Sequence, residues 1–163
     1  SKTEEVPAMD QLMKWLSDNL PASPPATLVH NDFKLDNVLI NARDPGRIEA
    51  VLDWEMCTVG DPLVDLGLIL CYWSQPSDPG GAKEALTLAP GWFTPQQVIA
   101  TYAAKTGRDV SQILYYRVFA VFKLAVVLQQ IYYRFYRGQT QDERFRHFDQ
   151  RVRNLISQAV ALI

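Results

Sequence analysis

The sequence predicts a mainly helical α+β domain, a helical bundle holding one small β-hairpin. Three observations predict it. Apolar residues recur at helical spacing along most of the chain, two short apolar runs flank the turn-forming Asp44-Pro45-Gly46, and a length of 163 residues suits one buried core. Residues 1–163 are therefore expected to form a single domain.

The first helix is expected over Ala8 to Asn19, where Met9, Leu12, Met13, Leu16 and Leu20 make one apolar face. Pro21, Pro24 and Pro25 stop it. Thr27 to Val29 is a short extended run that leads into the polar segment His30 to Asn37. Val38 to Asn41 and Arg47 to Leu52 read as the two strands of a hairpin, because proline presets one turn angle and glycine tolerates the left-handed one. Gly60-Asp61-Pro62 marks a helix start, with Asp61 as cap and Pro62 at the first helical position; the helix is expected to reach Trp73. Ser74 to Gly91, rich in proline and glycine, reads as a surface loop. Thr94 then caps a helix that ends near Gly107, and a long helix follows from Ser111 to Arg137, ended by Gly138. The last helix is expected from Gln141 to Leu162, with Phe145, Phe148, Val152, Leu155, Ala159 and Leu162 in helical register.

Composition narrows the function classes. A hydrophobic fraction of 48%, a charged fraction of 21% and a net charge of -2 give no pull toward nucleic acid or an anionic membrane. Neither is expected as a partner, and any phosphate chemistry must rest on local groups. Cys57 and Cys71 lack metal-ligand spacing and are too few for a disulfide framework, which fits a reducing, cytoplasmic setting. The start, Ser-Lys-Thr-Glu-Glu, lacks the apolar core of a signal peptide. Val118 to Leu128 is the longest apolar stretch, but Lys123 interrupts it and Arg117 and Arg134 flank it. It falls short of the roughly 20 residues of a spanning helix and reads as a buried core helix.

His30-Asn31-Asp32-Phe33-Lys34-Leu35-Asp36-Asn37 crowds polar and charged groups between two apolar strands, where a plain connection needs only a turn. Phosphoryl transfer needs a carboxylate to orient a hydroxyl and accept its proton, cations to neutralise the phosphate, and oxygen ligands for magnesium. Asp32 can be the carboxylate, Asn37 offers an amide oxygen, and Lys34 can reach a phosphate as a point charge. The hairpin turn lies almost midway between Asn37 and Asp53, so the returning strand should set the two side by side, with Asp53 as second metal ligand. After the apolar run Ile48 to Leu52, its anion would be costly without a cation.

On these residues the chain resembles the kinases. The loop fits H-x-D-x-x-x-x-N at every position, and Asp53-Trp54-Glu55 stands where that fold carries its metal-binding aspartate. The likeness is stronger to the aminoglycoside and choline phosphotransferase family, which adds G-D-P-x-x-D-L, here Gly60-Asp61-Pro62-Leu63-Val64-Asp65-Leu66. Within it, the run from Thr101 to Thr140, with Tyr115-Tyr116-Arg117 and Gly138-Gln139-Thr140, is most similar to kinase-like domains fused to certain acyl-CoA dehydrogenases. The resemblance implies the C-terminal lobe of a protein-kinase-like fold, and transfer of the ATP γ-phosphate to a hydroxyl with Mg2+. It makes Asp32 the catalytic base, Asn37 and Asp53 the magnesium ligands, and Asp65 a brace of the catalytic loop. Asn31 replaces the family's usual glycine.

No glycine-rich nucleotide loop, strand lysine or partner glutamate precedes the loop in this sequence. The N-terminal lobe of the same protein is thus an expected partner, without which nucleotide binding and catalysis should be weak; a homodimer through exposed apolar surface is a further expectation. An aminoglycoside, a sugar, choline and a hydroxyacyl ester all stay open as acceptor. Around the site, His30 reads as a packed histidine that shapes the loop in preference to a proton carrier, and Lys34 as either a phosphate contact or a solvated chain. Glu55 could assist the metal or form a surface pair, and Asp61 reads as a cap only. The aromatic residues of the long helix read as core, and Arg117, Lys123 and Arg134 as solvated or ion-paired. The rival functions are a catalytically idle kinase-like binding or regulatory module and, more weakly, a metal hydrolase, for which His30 and His147 supply no adequate ligand set.

Overall fold

The computed structural model describes residues 3, 6–74 and 85–163. The expected surface loop from Ser74 to Gly91 therefore lies largely outside the described residues, as does most of the acidic N-terminus. In chain order the main elements are α1 (Pro7–Asp18), β1 (Thr27–Val29), β2 (Val38–Ile40), β3 (Ile48–Val51), β4 (Thr58–Gly60), α2 (Leu63–Cys71), α3 (Pro95–Thr106), α4 (Ile113–Tyr136) and α5 (Phe148–Val160). They group into two compact units, one of residues 22–116 and one of residues 1–21 with 117–163.

In the first unit the expected hairpin forms. β2 and β3 pair antiparallel as Val38 with Val51, Leu39 with Ala50 and Ile40 with Ile48, the register slipping between Leu39 and Ile40. Asn41 organises the turn: its Oδ1 accepts from the Arg43 and Asp44 amides at 2.8 and 3.0 Å. A second ladder was not expected. β1 pairs antiparallel with β4 as Thr27 with Gly60, Leu28 with Val59 and Val29 with Thr58. Three residues just before a helix-start signal carry no strand pattern of their own, and only the partner strand, distant in sequence, makes them one.

The helix after β4 starts as expected, with the Leu63 amide donating to Asp61 Oδ1 at 2.9 Å. It ends earlier than Trp73: the Tyr72 and Trp73 amides turn back to the carbonyls of Ile69 and Leu70 in a tighter last turn. Leu63, Leu66 and Leu70 bury against Tyr116, with Val98, Ile99 and Tyr102 of α3 packed around them. Gly67 permits this approach, because a Cβ there would lie 2.5 Å from the Tyr116 carbonyl oxygen. The α3 reading holds at both ends, with a Thr94–Gln97 capping box and Gly107 at φ 67°.

In the second unit α1 packs against α5. Leu12 and Leu16 of α1, Val118, Ala120, Val121 and Ala125 of α4, and Val152, Ile156 and Ala159 of α5 are buried. Met13 and Leu20, read as part of the α1 face, are instead exposed. The last helix also differs: it begins at Phe148, behind a separate 3-10 turn over Glu143–Phe145. Asp142 accepts from the Arg144 amide at 3.0 Å and takes the Arg144 guanidinium as well, a local bonding pattern that competes with continuing a helix. α4 ends at Tyr136, and Gly138, at φ 69°, turns the chain away just beyond it. By length and composition α4 is long and apolar enough to cross a membrane; within the stretch from Val118 to Leu128, Val118, Ala120, Val121 and Ala125 are buried, which makes a stripe along the helix.

Candidate active site

The site is built on the segment that β1 delivers, and its inner end is anchored by backbone contacts. Asp65, in the first turn of α2, accepts the His30 amide on Oδ2 at 2.7 Å and the Asn31 amide on Oδ1 at 2.8 Å. One carboxylate thus fixes two successive peptide groups through charge-assisted bonds. Asn31 has φ 67°, the left-handed region that glycine occupies freely and asparagine tolerates best among other residues. The glycine-to-asparagine departure therefore keeps a backbone shape that most side chains would strain.

His30 is buried, and both ring nitrogens are used. Nε2 lies 2.7 Å from the Leu52 carbonyl, which can only accept, so Nε2 carries the proton; Nδ1 accepts from the Asp32 amide at 3.3 Å. The ring packs 4.6 Å from the Trp54 ring, whose Nε1 donates to Val51 O at 2.7 Å. His30 thereby ties the loop to the end of β3.

The outer end is held by side chains. Asp32 Oδ2 accepts from Lys34 Nζ at 2.7 Å and from Asn37 Nδ2 at 3.2 Å, and the same Nδ2 donates to the Asp32 carbonyl at 2.9 Å. Lys34 is therefore engaged by Asp32, and only its remaining donors are free to reach a phosphate. The Leu52 amide donates to Asn37 O at 2.8 Å, so the ribbon closes on Asn37 one residue before Asp53. Asp53 sits at φ 66° and ψ 51°, exposed, and no hydrogen bond or ion pair engages its carboxylate among the described residues. Glu55 beside it is exposed in a short 3-10 turn.

The donor set suits a hard cation. Because Asn37 turns its amide nitrogen to a carbonyl, its Oδ1 points elsewhere and has no partner among the described residues, yet no buried side-chain oxygen goes unsatisfied, so it reaches solvent. An open amide oxygen and an open carboxylate at one end of a hairpin fit magnesium, which takes few protein oxygens and completes its shell with phosphates and water. Among the described residues no group of three or more His, Cys, Asp or Glu is placed to hold a metal ion.

Two neighbours of the site carried no readable signal. Tyr72, just past α2, has its phenol pushed up to about 12 by burial, with Cys71 and the carboxylates of Asp32 and Asp36 adding to it. Tyr116 donates to Asp61, so Asp61 both caps α2 and holds a buried phenol. Burial and then the Asp61 bond raise the Tyr116 phenol well above its ordinary range. These contacts link residues whose separation in sequence leaves no pattern. The remaining basic residues singled out, Arg117, Lys123 and Arg134, belong to the other compact unit.

A loop braced from a helix, closed by a hairpin, is the frame of a kinase-like fold. The model of the phosphotransferase enzyme family, APH, matches residues 1–98, and the chain belongs to that family. It is 34% identical over 143 residues to acyl-CoA dehydrogenase family member 10 of Mus musculus, covering 85% of this chain and 13% of that protein. To acyl-CoA dehydrogenase family member 11 of Homo sapiens it is 32% identical over 146 residues, 86% of this chain and 18% of that protein. A crystal structure from Ralstonia eutropha JMP134, provisionally described as an aminoglycoside phosphotransferase, superposes with a TM-score of 0.83 at 28% identity, covering 99% of this chain and 50% of that one. The chain thus spans 13% and 18% of the length of the two dehydrogenase-family proteins. The family, the fold and the likeness to dehydrogenase-fused domains are as the motifs implied.

Proposed function

We propose that the whole protein transfers the γ-phosphate of ATP to a hydroxyl of a small molecule, with Mg2+, in the cytoplasm. The observation that carries it is the Asp32 carboxylate, fixed by Asn37 and Lys34 on a loop whose hairpin brings up Asp53. Asp32 orients the acceptor hydroxyl and accepts its proton. Asn37 and Lys34 hold that carboxylate in place, and Asp65 and His30 hold the backbone beneath it. Asn37 Oδ1 and the Asp53 carboxylate would hold magnesium, which when bound neutralises charge on the transferred phosphate. Lys34 shares its ammonium between Asp32 and a phosphate oxygen. The two free cysteines support the cytoplasmic setting, and a net charge of -2 supports a small-molecule acceptor over nucleic acid or membrane.

The test is acceptor-dependent ADP release by the full-length protein. The names of the similar proteins, an aminoglycoside phosphotransferase and two acyl-CoA dehydrogenase family members, make amino sugars and hydroxyacyl esters the first acceptors to assay. Asp32→Asn should lower turnover roughly 10²- to 10⁴-fold, the range of a lost general base, with the thermal midpoint unchanged. Turnover that survives the substitution sinks this role for Asp32. One observation favours a second reading, an idle kinase-like regulatory module: Lys34 already occupies the carboxylate. An idle module would release no ADP with any acceptor, and Lys34→Ala would not restore release.

A further inference from the structure

Within residues 22–116 a cavity of about 360 Å³ opens behind the catalytic loop, near the lower end of the range of small-molecule sites. It is lined by the rings of His30, Phe33 and Trp54, by Asp65 and aliphatic side chains of β1, β3 and α2, and by Val98 and Tyr102 of α3. Asp32, Asn37 and Asp53 do not line it, so it is separate from the groups assigned to phosphate and metal.

Its chemistry follows from which lining groups are already used. Both Asp65 oxygens accept backbone amides, both His30 nitrogens are bonded, and the Trp54 indole donates to Val51 O. Tyr102 alone among the polar lining side chains has a hydroxyl with no hydrogen bond to any described residue. The lining exposes little polar surface, an anion would meet Asp65, and each Asp65 oxygen already accepts an amide, so a charged or strongly polar ligand would give up more hydration than the cavity returns. We propose that this cavity is a second ligand site, for a neutral and largely apolar small molecule that carries one hydrogen-bond acceptor for Tyr102. Its occupant presses on the ring of His30, which holds the amide of Asp32, so binding is felt by the catalytic loop from its reverse side. The inference does not depend on the phosphotransfer reading.

The probe is 1-indanone, a neutral bicyclic ketone, with indane as its hydrocarbon control, titrated into the full chain and followed by NMR. The Trp54 indole N–H and the His30 ring, one of two histidines, should both shift and saturate with 1-indanone. Val98→Phe, which fills the space, should remove the saturation, and Asp32→Asn should leave it intact. Tyr102→Phe should weaken the ketone roughly three- to tenfold, the effect of one lost hydrogen bond, and leave indane unchanged. Absence of saturable shifts, or shifts that persist in Val98→Phe, overturns the site. Should Val98→Phe fail to fold, an unchanged ketone affinity in Tyr102→Phe overturns it instead.

Discussion

The two ends of one eight-residue loop are held in opposite ways. At His30 and Asn31 hydrogen bonds to Asp65 and to backbone groups fix the chain, and both His30 ring nitrogens are used. At Asp32, Lys34 and Asn37 two of the contacts join side chains to one another and leave spare capacity, as does the open carboxylate of Asp53. The inner end has the saturation of a structural joint, and the outer end the unfilled valence of a site. Substitutions should therefore divide, the inner ones moving stability and the outer ones moving activity.

The largest stability effect is expected at Asp65. Asp65→Ala removes the acceptor of two amides at once and should cost about 3 kcal/mol in chemical denaturation, since bonds to a charged group are worth about 1.5–3 kcal/mol each and the loop relaxes in part. A loss under about 1 kcal/mol would break the comparison. Next comes Tyr116, which steadies Asp61 at the start of the same helix. Burial and the Asp61 bond raise its phenol above the ordinary value of 10.0. A group raised on folding contributes fully below its unfolded value and loses that contribution as pH climbs toward the folded one. Stability should thus fall above about pH 10, and Tyr116→Phe should be less stable at pH 8 yet show a shallower alkaline decline in thermal melts.

Smaller effects sharpen the contrast at the outer end. Lys34→Ala breaks a partly exposed pair and should cost under about 1 kcal/mol, while changing the KM for ATP of the full-length protein. Smallest of all is Asn31→Gly. It relieves a left-handed backbone but gives up the Nδ2 bond to Met56 O at 3.3 Å, so the unfolding free energy should change by less than about 1 kcal/mol in either direction. A large loss there would mean that the asparagine side chain, not the backbone shape, holds the inner end.

The features legible in the sequence were those whose cause is local. Asp44-Pro45-Gly46 and its flanking strands make the β2–β3 hairpin within a few residues, and Thr94 with Gln97 caps α3 within one turn. The H-x-D-x-x-x-x-N spacing likewise marks Asp32 and Asn37, because both lie on one short loop. β4 was illegible because nothing in Thr58–Gly60 specifies a strand until β1 lies beside it. The end of α5 facing Gln141 misled for the opposite reason: apolar spacing ran on into residues that Asp142 and Arg144 bond into a separate turn.

By itself the sequence determined the family, the loop motif and the hairpin, since each rests on neighbours a few residues apart. Tertiary structure alone decided that Asp65 grips two particular amides, that His30 reaches the Leu52 carbonyl, and that a cavity opens beside the loop. The physical reason is range: turns and caps are set by bonds over three or four residues, whereas these contacts exist only once β1 and α2 have packed and brought distant groups within 3 Å.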